Sequence, residues 1–232
     1  MNVIIPMAGK GARFAGAGHT GPKPLIPVAG VAMLDWALAS LPRSATLTIP
    51  CQRADVAALS EVIHGDCLVP LDGPTQGAAC TVLAAAVGLP PTAPVLVVNC
   101  DQYFIADLLG VQAQAMAEAW DGYILTFTST HPRWSYVIED ADGWVSKVVE
   151  KEPVSTHATV GAYWFRRAGD LVWACATAIH RDTRTLGEFY LAPVYNAMIE
   201  KGQRIKAVPA TAFYGLGTPE DVAAFANLEA HR

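Results

Sequence analysis

Asn-Val-Ile-Ile-Pro-Met-Ala-Gly-Lys-Gly-Ala-Arg occupies residues 2–13, and Gly-Pro-Lys-Pro-Leu-Ile-Pro-Val-Ala-Gly follows at residues 21–30, after a loop of small residues. The apolar run at residues 3–5 is typical of a buried strand. Glycines allow the backbone to approach a ligand closely and to direct its N–H groups at it. The stretch therefore predicts a strand that leads into a ligand-binding loop.

Two cations accompany this loop. Arg13 follows the glycines, and Lys23 lies between two prolines that restrict its backbone. Cations on a glycine-rich loop favour a polyanion such as a triphosphate, which we expect to bind at Ala8, Gly9 and Gly11. The alternative interpretation is a tight strand-to-helix turn that carries two solvated charges.

Length and composition limit the class of protein. The chain has 232 residues, which fits one large α/β domain, and 52% of them are hydrophobic, which is ample for a sizeable core. The net charge of −5 argues against a nucleic-acid partner, and no apolar run is long enough for a bilayer. An odd count of five cysteines without C-x-x-C spacing, together with the lack of a signal peptide, predicts a cytoplasmic protein with reduced thiols. The sequence leaves open whether the protein forms a homo-oligomer.

The hydrophobic pattern predicts alternating strands and helices in the first 120 residues. We expect strands at 45–49, 67–71 and 94–99 and helices at 31–41, 54–63, 76–87 and 105–120, with Thr75 as an N-cap. The order indicates parallel βαβ units. In the second part we expect strands at 123–129, 159–166 and 204–209, a hairpin of 136–139 with 144–149, and helices at 171–179, 188–201 and 219–228.

The opening stretch resembles the signature of the nucleotidyltransferases that make sugar nucleotides. Their pattern is Gly-x-Gly-Ser/Thr-Arg followed by Pro-Lys-Pro-Leu, and only Ala12 departs from it, at a position that usually has a hydroxyl. The resemblance extends over nearly the whole chain. It implies a Rossmann-like, three-layer α/β fold with a mixed, mainly parallel sheet and helices on both faces. Residues 1–120 would then form a nucleotide-binding half and residues 121–232 an acceptor-binding half of one domain.

A carboxylate follows the most apolar strand. Ligands of open α/β sheets collect at the carboxyl ends of the strands, and Asp101 lies just past such an end, where it suits Mg²⁺. The family has a metal-binding aspartate at the matching place, whereas the alternative is a helix cap. Gln76 and Gly77 resemble the family loop that holds the base and ribose, although a capped helix start would look the same.

The acceptor side matches the family less well. Glu150 and Lys151 match the Glu-Lys pair that meets the acceptor in the family, with an exposed strand end as the alternative. Tyr136 stands where the family often has a glycine that leaves room for a hexose, so we expect a reshaped pocket and poor use of glucose-1-phosphate. Gly215 stands at the family's second metal-binding aspartate. Glu188 is then a candidate for the second ligand, as is Glu150.

These features together predict a Mg²⁺-dependent nucleotidyltransferase. A phosphorylated acceptor would attack the α-phosphorus of a nucleoside triphosphate and release pyrophosphate, with Arg13 and Lys23 as catalytic cations. CTP is favoured, with UTP and dTTP open, because the chain resembles compact cytidylyltransferase-like proteins of surface-polysaccharide pathways. Two alternatives stay open, namely a glycosyltransferase of related fold and a non-catalytic nucleotide-binding protein.

Overall fold

The computed structural model describes residues 1–9, 11–63 and 67–231, and for Ala12 it describes the backbone alone. The strands are β1 Asn2–Ile4, β2 Pro27–Val28, β3 Val31–Ala32, β4 Thr46–Gln52, β5 Leu68–Leu71, β6 Val95–Val98, β7 Gln102–Ile105, β8 Gly122–Thr128, β9 Ser135–Glu139, β10 Val145–Glu150, β11 His157–Phe165, β12 Ile205–Pro209 and β13 Ala212–Gly215. The helices are α1 Ala12–Gly16, α2 Met33–Ala39, α3 Val56–Leu59, α4 Ala78–Ala86, α5 Leu108–Ala117, α6 Ala168–His180, α7 Tyr195–Glu200 and α8 Pro219–Glu229.

In the described part of the chain, nine strands form the central sheet. Its main path is β10-β9-β11-β6-β1-β4-β5, and β8 pairs with β11 and β12. Strands β6, β1, β4 and β5 are parallel, as are β8 and β12, whereas β11 runs antiparallel to its neighbours. The predicted mixed α/β sheet is confirmed. Because parallel strands end at the same edge, the loops that follow β1, β4, β5 and β6 meet there.

Helices cover both faces of this sheet. Side chains alternate along a strand, so Val95 and Val97 of β6 pack with α4 and α6 on one face. Leu96 and Val98 of the same strand pack on the opposite face, beneath α2, α3 and α5. All four residues of β6 are fully buried, which explains why this strand reads as a continuous apolar run.

A smaller apolar cluster supports the second part of the opening stretch. Phe14, Ile26, Val28 and Met33 pack there against Phe225 of α8. The indole N–H of Trp36 donates to the Val28 carbonyl at 2.9 Å. The turn that carries Lys23 is therefore fixed to the body of the protein and does not hang free in solvent.

Several predicted elements differ from the structure, among them the helix expected at 54–63, which is shortened to Val56–Leu59. The helix expected at 105–120 begins only at Leu108, because residues 102–105 form β7 and pair with β13. The helix expected at 188–201 begins as a 3-10 turn at Ala192, since the backbone of Phe189 bonds to residues 76 and 79. Thr75 does not cap α4, whose N-cap is Gly77 without a side-chain bond.

No helix in the described ranges is long and apolar enough to cross a membrane. No disulfide joins the five cysteines, all of which lie within those ranges.

Candidate active site

A cavity of about 930 Å³ opens at the carboxyl ends of the parallel strands. The loops after β1, β5 and β6 line one side of it, and residues of β9, β10 and β11 line the other. The structure brings together in this cavity every candidate site residue except Tyr136, namely Ala8, Gly9, Gly11, Arg13, Lys23, Gln76, Gly77, Asp101, Glu150, Lys151 and Glu188. Residues from both halves of the sequence thus share one concave site, as is usual for enzymes.

The glycine loop lies between β1 and the short helix α1. Gly11 has a φ of 60°, a left-handed conformation that favours glycine, and a Cβ on it would lie 3.3 Å from the Cβ of Lys23. The Gln52 amide donates to the Gly9 carbonyl at 3.2 Å. Arg13 follows in the first turn of α1 and is exposed towards the cavity. The backbone of this loop and the side chain of Arg13 therefore line the same cavity.

Lys23 and Asp101 form the centre of the site. The Lys23 Nζ lies 2.5 Å from Asp101 Oδ2, although the two residues are 78 positions apart. Lys23 is held at the first position of a 3-10 turn, and Asp101 follows β6. Their side chains are 22% and 26% exposed, so the pair is shielded yet reachable from the cavity.

The electrostatics keep both groups charged. Burial acts to raise the pKa of the Asp101 carboxyl, but the Lys23 ammonium and its hydrogen bond outweigh burial and lower that pKa below 3.8. Burial likewise acts to lower the pKa of Lys23, and Asp101 outweighs it, so the Lys23 pKa is raised above 10.5. An ionised carboxylate therefore lies beside a permanent cation at neutral pH.

The segment after β13 closes over Asp101. The Leu216 N–H donates to the Asp101 carbonyl at 2.8 Å, and a Cβ on Gly217 would lie 3.2 Å from Asp101 Oδ2. A Cβ on Gly215 would lie only 2.8 Å from the ring of Trp134. The indole ring thus occupies the space that a side chain at residue 215 would need.

The loop at Gln76 and Gly77 is fixed by the second half of the chain. The Phe189 N–H donates to the Gln76 carbonyl at 2.9 Å, and the Phe189 carbonyl accepts from the Ala79 N–H at 3.0 Å. A Cβ on Gly77 would lie 2.5 Å from the Phe189 carbonyl oxygen, so this approach requires glycine. Gln76 itself is exposed to the cavity.

The side of the cavity that β9 and β10 line combines a carboxylate with a cation. The Ser135 hydroxyl donates to the Glu150 carboxylate across the β9–β10 pair. Burial raises the pKa of Glu150, although Ser135 and Lys151 oppose this shift. The Lys151 ammonium donates to the Tyr190 hydroxyl and lies 4.3 Å from the centre of its ring. These contacts hold the side chains of both Glu150 and Lys151 in place.

The structure corrects the placing of Tyr136. Its side chain is fully buried, and its hydroxyl donates to the His131 carbonyl at 2.6 Å. Neighbouring residues of a strand point to opposite faces, so Ser135, one position earlier, is the residue that lines the cavity beside Glu150. The expected obstruction of the acceptor pocket by a tyrosine ring is therefore wrong.

The donor set for a divalent cation is small. Within the described ranges, no three His, Cys, Asp or Glu side chains lie close enough together to hold a metal ion. Asp101 nevertheless offers an ionised carboxylate in the same cavity as the glycine loop, and Mg²⁺ is commonly bound by one or two carboxylates together with substrate phosphates. The residues present therefore fit a cation that a bound triphosphate helps to hold.

Several cavity residues escaped the sequence analysis. Arg133 makes two hydrogen bonds to Asp221 at 2.8 and 3.1 Å and lies 4.2 Å from the centre of the Trp134 ring. Arg184 donates to the Gln76 side chain at 2.7 Å. Both arginines lie in loops, and Asp221 and Gln76 lie far from them in sequence. Only the closeness of Arg184 to the Glu-Phe-Tyr stretch could have drawn attention to it.

The fold and this site define a class of protein: an α/β protein with a charged cavity at the carboxyl edge of its sheet. Residues 3–172, more than half of the chain, match the family model of the MobA-like NTP transferase domain. The chain belongs to this family, and the protein is a nucleotidyltransferase. The assignment made from the sequence is thus confirmed at this level.

Two solved structures share the fold. A nucleoside-diphosphate-sugar pyrophosphorylase from Vibrio cholerae RC9 has a TM-score of 0.78 and 24% identity, over 97% of this chain and 99% of that one. A putative glucose-1-phosphate thymidylyltransferase from Bacillus anthracis, in complex with a sucrose, has a TM-score of 0.79 and 16% identity, over 98% of this chain and 94% of that one. Among curated proteins, none matches this chain.

Proposed function

We propose that the enzyme joins a nucleoside triphosphate, with CTP favoured, to a small phosphorylated acceptor and releases pyrophosphate. The acceptor is a sugar phosphate or another small phosphorylated metabolite. The observation that carries the proposal is the Lys23–Asp101 pair, which lines the same cavity as a glycine loop suited to phosphates and a further cation, Lys151.

The residues divide the reaction between them. The backbone of Gly9 and Gly11, with Arg13, would hold the β- and γ-phosphates, and Lys23 would meet the α-phosphate. Lys151 would orient the acceptor phosphate, whose oxygen attacks the α-phosphorus as pyrophosphate leaves. This oxygen is already anionic, so no general base is required. Positioning and charge stabilisation then supply most of the rate enhancement.

Mg²⁺ is the cofactor that this chemistry favours. Asp101 would hold it, with Glu188 or Glu150 as candidate further ligands, because all three carboxylates line the cavity. The bound cation would neutralise charge that develops on the triphosphate. Lys23 keeps its own role at the α-phosphate, since it is a cation independent of metal binding.

The choice of CTP rests on two stretches of sequence. The Ile-Pro-Met-Ala-Gly-x-Gly stretch and the Glu-Phe-Tyr-Leu-Ala-Pro stretch at residues 188–193 resemble cytidylyltransferase-like proteins of surface-polysaccharide pathways. The loop at Gln76 and Gly77 would hold the base, and part of the latter stretch contacts this base loop through the backbone of Phe189. This contact gives a physical reason for that stretch to influence the choice of base.

A screen of triphosphates against phosphorylated acceptors tests the proposal. CTP, UTP, dTTP, GTP and ATP are each combined with sugar 1-phosphates and with other phosphorylated metabolites, with and without Mg²⁺, and pyrophosphate release is measured. We expect the highest kcat/KM with CTP and a requirement for Mg²⁺. Full activity in the presence of a chelator would contradict the cofactor, and a tenfold preference for UTP or dTTP would contradict CTP.

A further inference from the structure

The segment from Asp182 to Phe189 lies against the loop that we propose holds the base. Phe189 is buried, and its backbone bonds on both sides of Gly77. Its ring supports the guanidinium group of Arg184, whose Cζ lies 3.9 Å from the ring centre. The segment therefore places a cation directly at the side chain of Gln76.

Arg184 is held by three hydrogen bonds. Its Nε donates to Asp182 at 2.6 Å, one terminal nitrogen donates to the Gly187 carbonyl at 3.1 Å, and the other donates to Gln76 Oε1 at 2.7 Å. A guanidinium group is planar and has its N–H groups in a fixed fork. Contacts to three partners and to the ring below therefore leave Arg184 little freedom to turn.

This arrangement decides which way the Gln76 amide faces. The oxygen and nitrogen of an amide look alike in shape, and the hydrogen-bond network must tell them apart. A guanidinium group has donors and no acceptor, so the amide atom beside Arg184 has to be the oxygen. The amide nitrogen of Gln76 is then the atom available to a ligand in the cavity.

We propose that Arg184 is a specificity-determining residue that, with Gln76, presents two adjacent hydrogen-bond donors to the base. Such a pair of donors matches a base that has two adjacent hydrogen-bond acceptors. Cytosine offers these at O2 and N3, and guanine offers them at O6 and N7. Uracil has a donor at N3 between its two carbonyls, and adenine has its amino group beside both N1 and N7. The inference rests on the proposed placing of the base at Gln76.

The test measures binding, by calorimetric titration of the intact protein with CTP, GTP, UTP and ATP in the presence of Mg²⁺. The wild type should bind CTP or GTP at least tenfold more tightly than UTP and ATP, and comparison of CTP with GTP shows which acceptor pair is used. In Arg184→Ala the amide can turn over, so the ratio of the dissociation constants for UTP and CTP, or for ATP and GTP, should fall towards one.

Gln76→Glu gives the sharper result. A glutamate bonded to Arg184 presents an acceptor oxygen beside the remaining donor, which matches the N3–H and the neighbouring carbonyl of uracil. The added negative charge weakens the binding of every triphosphate, but the preference should move towards UTP by about tenfold or more. Arg181→Ala is the matched control, since Arg181 pairs with Glu200 outside the cavity and should leave all ratios unchanged.

The outcomes separate this inference from the proposed function. If the wild type binds triphosphates but Arg184→Ala and Gln76→Glu keep its base preference, the proposed pair of donors at Arg184 and Gln76 is refuted. The proposed reaction then still stands. If the wild type binds no triphosphate at all, both are refuted. Circular dichroism and urea unfolding of each variant show whether a changed ratio comes from a folded protein.

Discussion

Single residues decide how charge is arranged in this site. Lys23 and Asp101 come from distant parts of the chain, yet their charged groups lie 2.5 Å apart. Both were identified from the sequence, because a lysine between prolines and a carboxylate after an apolar strand are unusual features. Their contact could not be foreseen, since nothing local in the sequence indicates which residues 78 positions apart will meet.

Replacement of Lys23 tests the role of this cation. Lys23→Ala should lower kcat by about a hundredfold or more, because a cation at the α-phosphate acts mainly in the transition state. Steady-state pyrophosphate release is the measurement. Lys147→Ala, an exposed lysine on β10, serves as the control and should keep wild-type turnover. Near wild-type turnover in Lys23→Ala would refute the proposed contact with the α-phosphate.

The pair also predicts how stability depends on pH. The lowered pKa of Asp101 contributes stability above the unfolded value of 3.8, and this stability is lost as pH falls through the folded pKa. The raised pKa of Lys23 contributes stability below 10.5, which is lost as pH rises through the folded value. Asp101→Asn should therefore lower Tm relative to wild type by a constant amount between about pH 6 and 9.

Thermal scans of both proteins from pH 2 to 9 provide this measurement. The difference in Tm should shrink as pH falls below about 4, because the Asp101 carboxyl of the unfolded wild type takes up a proton there and that of the folded protein does so at still lower pH. A difference that stays the same down to pH 2 would show that the ion pair does not stabilise the fold.

The acceptor pocket provides a prediction that reverses the expectation from the sequence. Ser135 lines the cavity and Tyr136 does not, so Ser135→Tyr should raise the KM for the acceptor by about tenfold or more. Tyr136→Phe should cost about 1 kcal/mol of stability through the lost bond to His131, with acceptor kinetics unchanged. The reverse pattern would return Tyr136 to the pocket.

Whole elements were predictable where burial dominated. Strand β6 and the β9–β10 hairpin follow directly from an apolar run and from a turn sequence between alternating residues. Strand β7 was missed because it is paired by β13, about a hundred residues later. Tyr136 was misplaced by one position along β9, and a one-residue error in a strand exchanges the two faces. The start of α7 was misjudged because Phe189 gives its backbone bonds to the base loop.

The contact between Phe189 and the N-terminus of α4 predicts a glycine requirement. Gly77→Ala should destabilise the protein by about 2 kcal/mol or more, since φ is 136° and the new Cβ would meet the Phe189 backbone at 2.5 Å. Urea unfolding measures the change. Gly73→Ala is the control, because no atom lies within 4 Å of its Cβ position, and it should stay within about 0.5 kcal/mol of wild type. Equal stabilities for the two variants would contradict this reasoning.

At the scale of the whole molecule, one sheet joins the nucleotide loops to the acceptor strands. The long strand β11 lies between β6 on one side and β8 on the other, so the two parts of the sequence share their interior. The cavity takes residues from both. The sequence predicted the two sets of residues separately, and their assembly depends on strand pairings between distant segments that no short motif specifies.

The position of β11 has a consequence for the synthesis of the protein on the ribosome. Val98 pairs with Ala162, so after β6 leaves the ribosome a further 64 residues must be made before its open edge is covered. At 5–20 residues per second this takes roughly 3 to 13 s, during which an entirely apolar strand edge is exposed on the nascent chain. Molecular chaperones that act during translation would have to protect that edge from aggregation until β11 has been made.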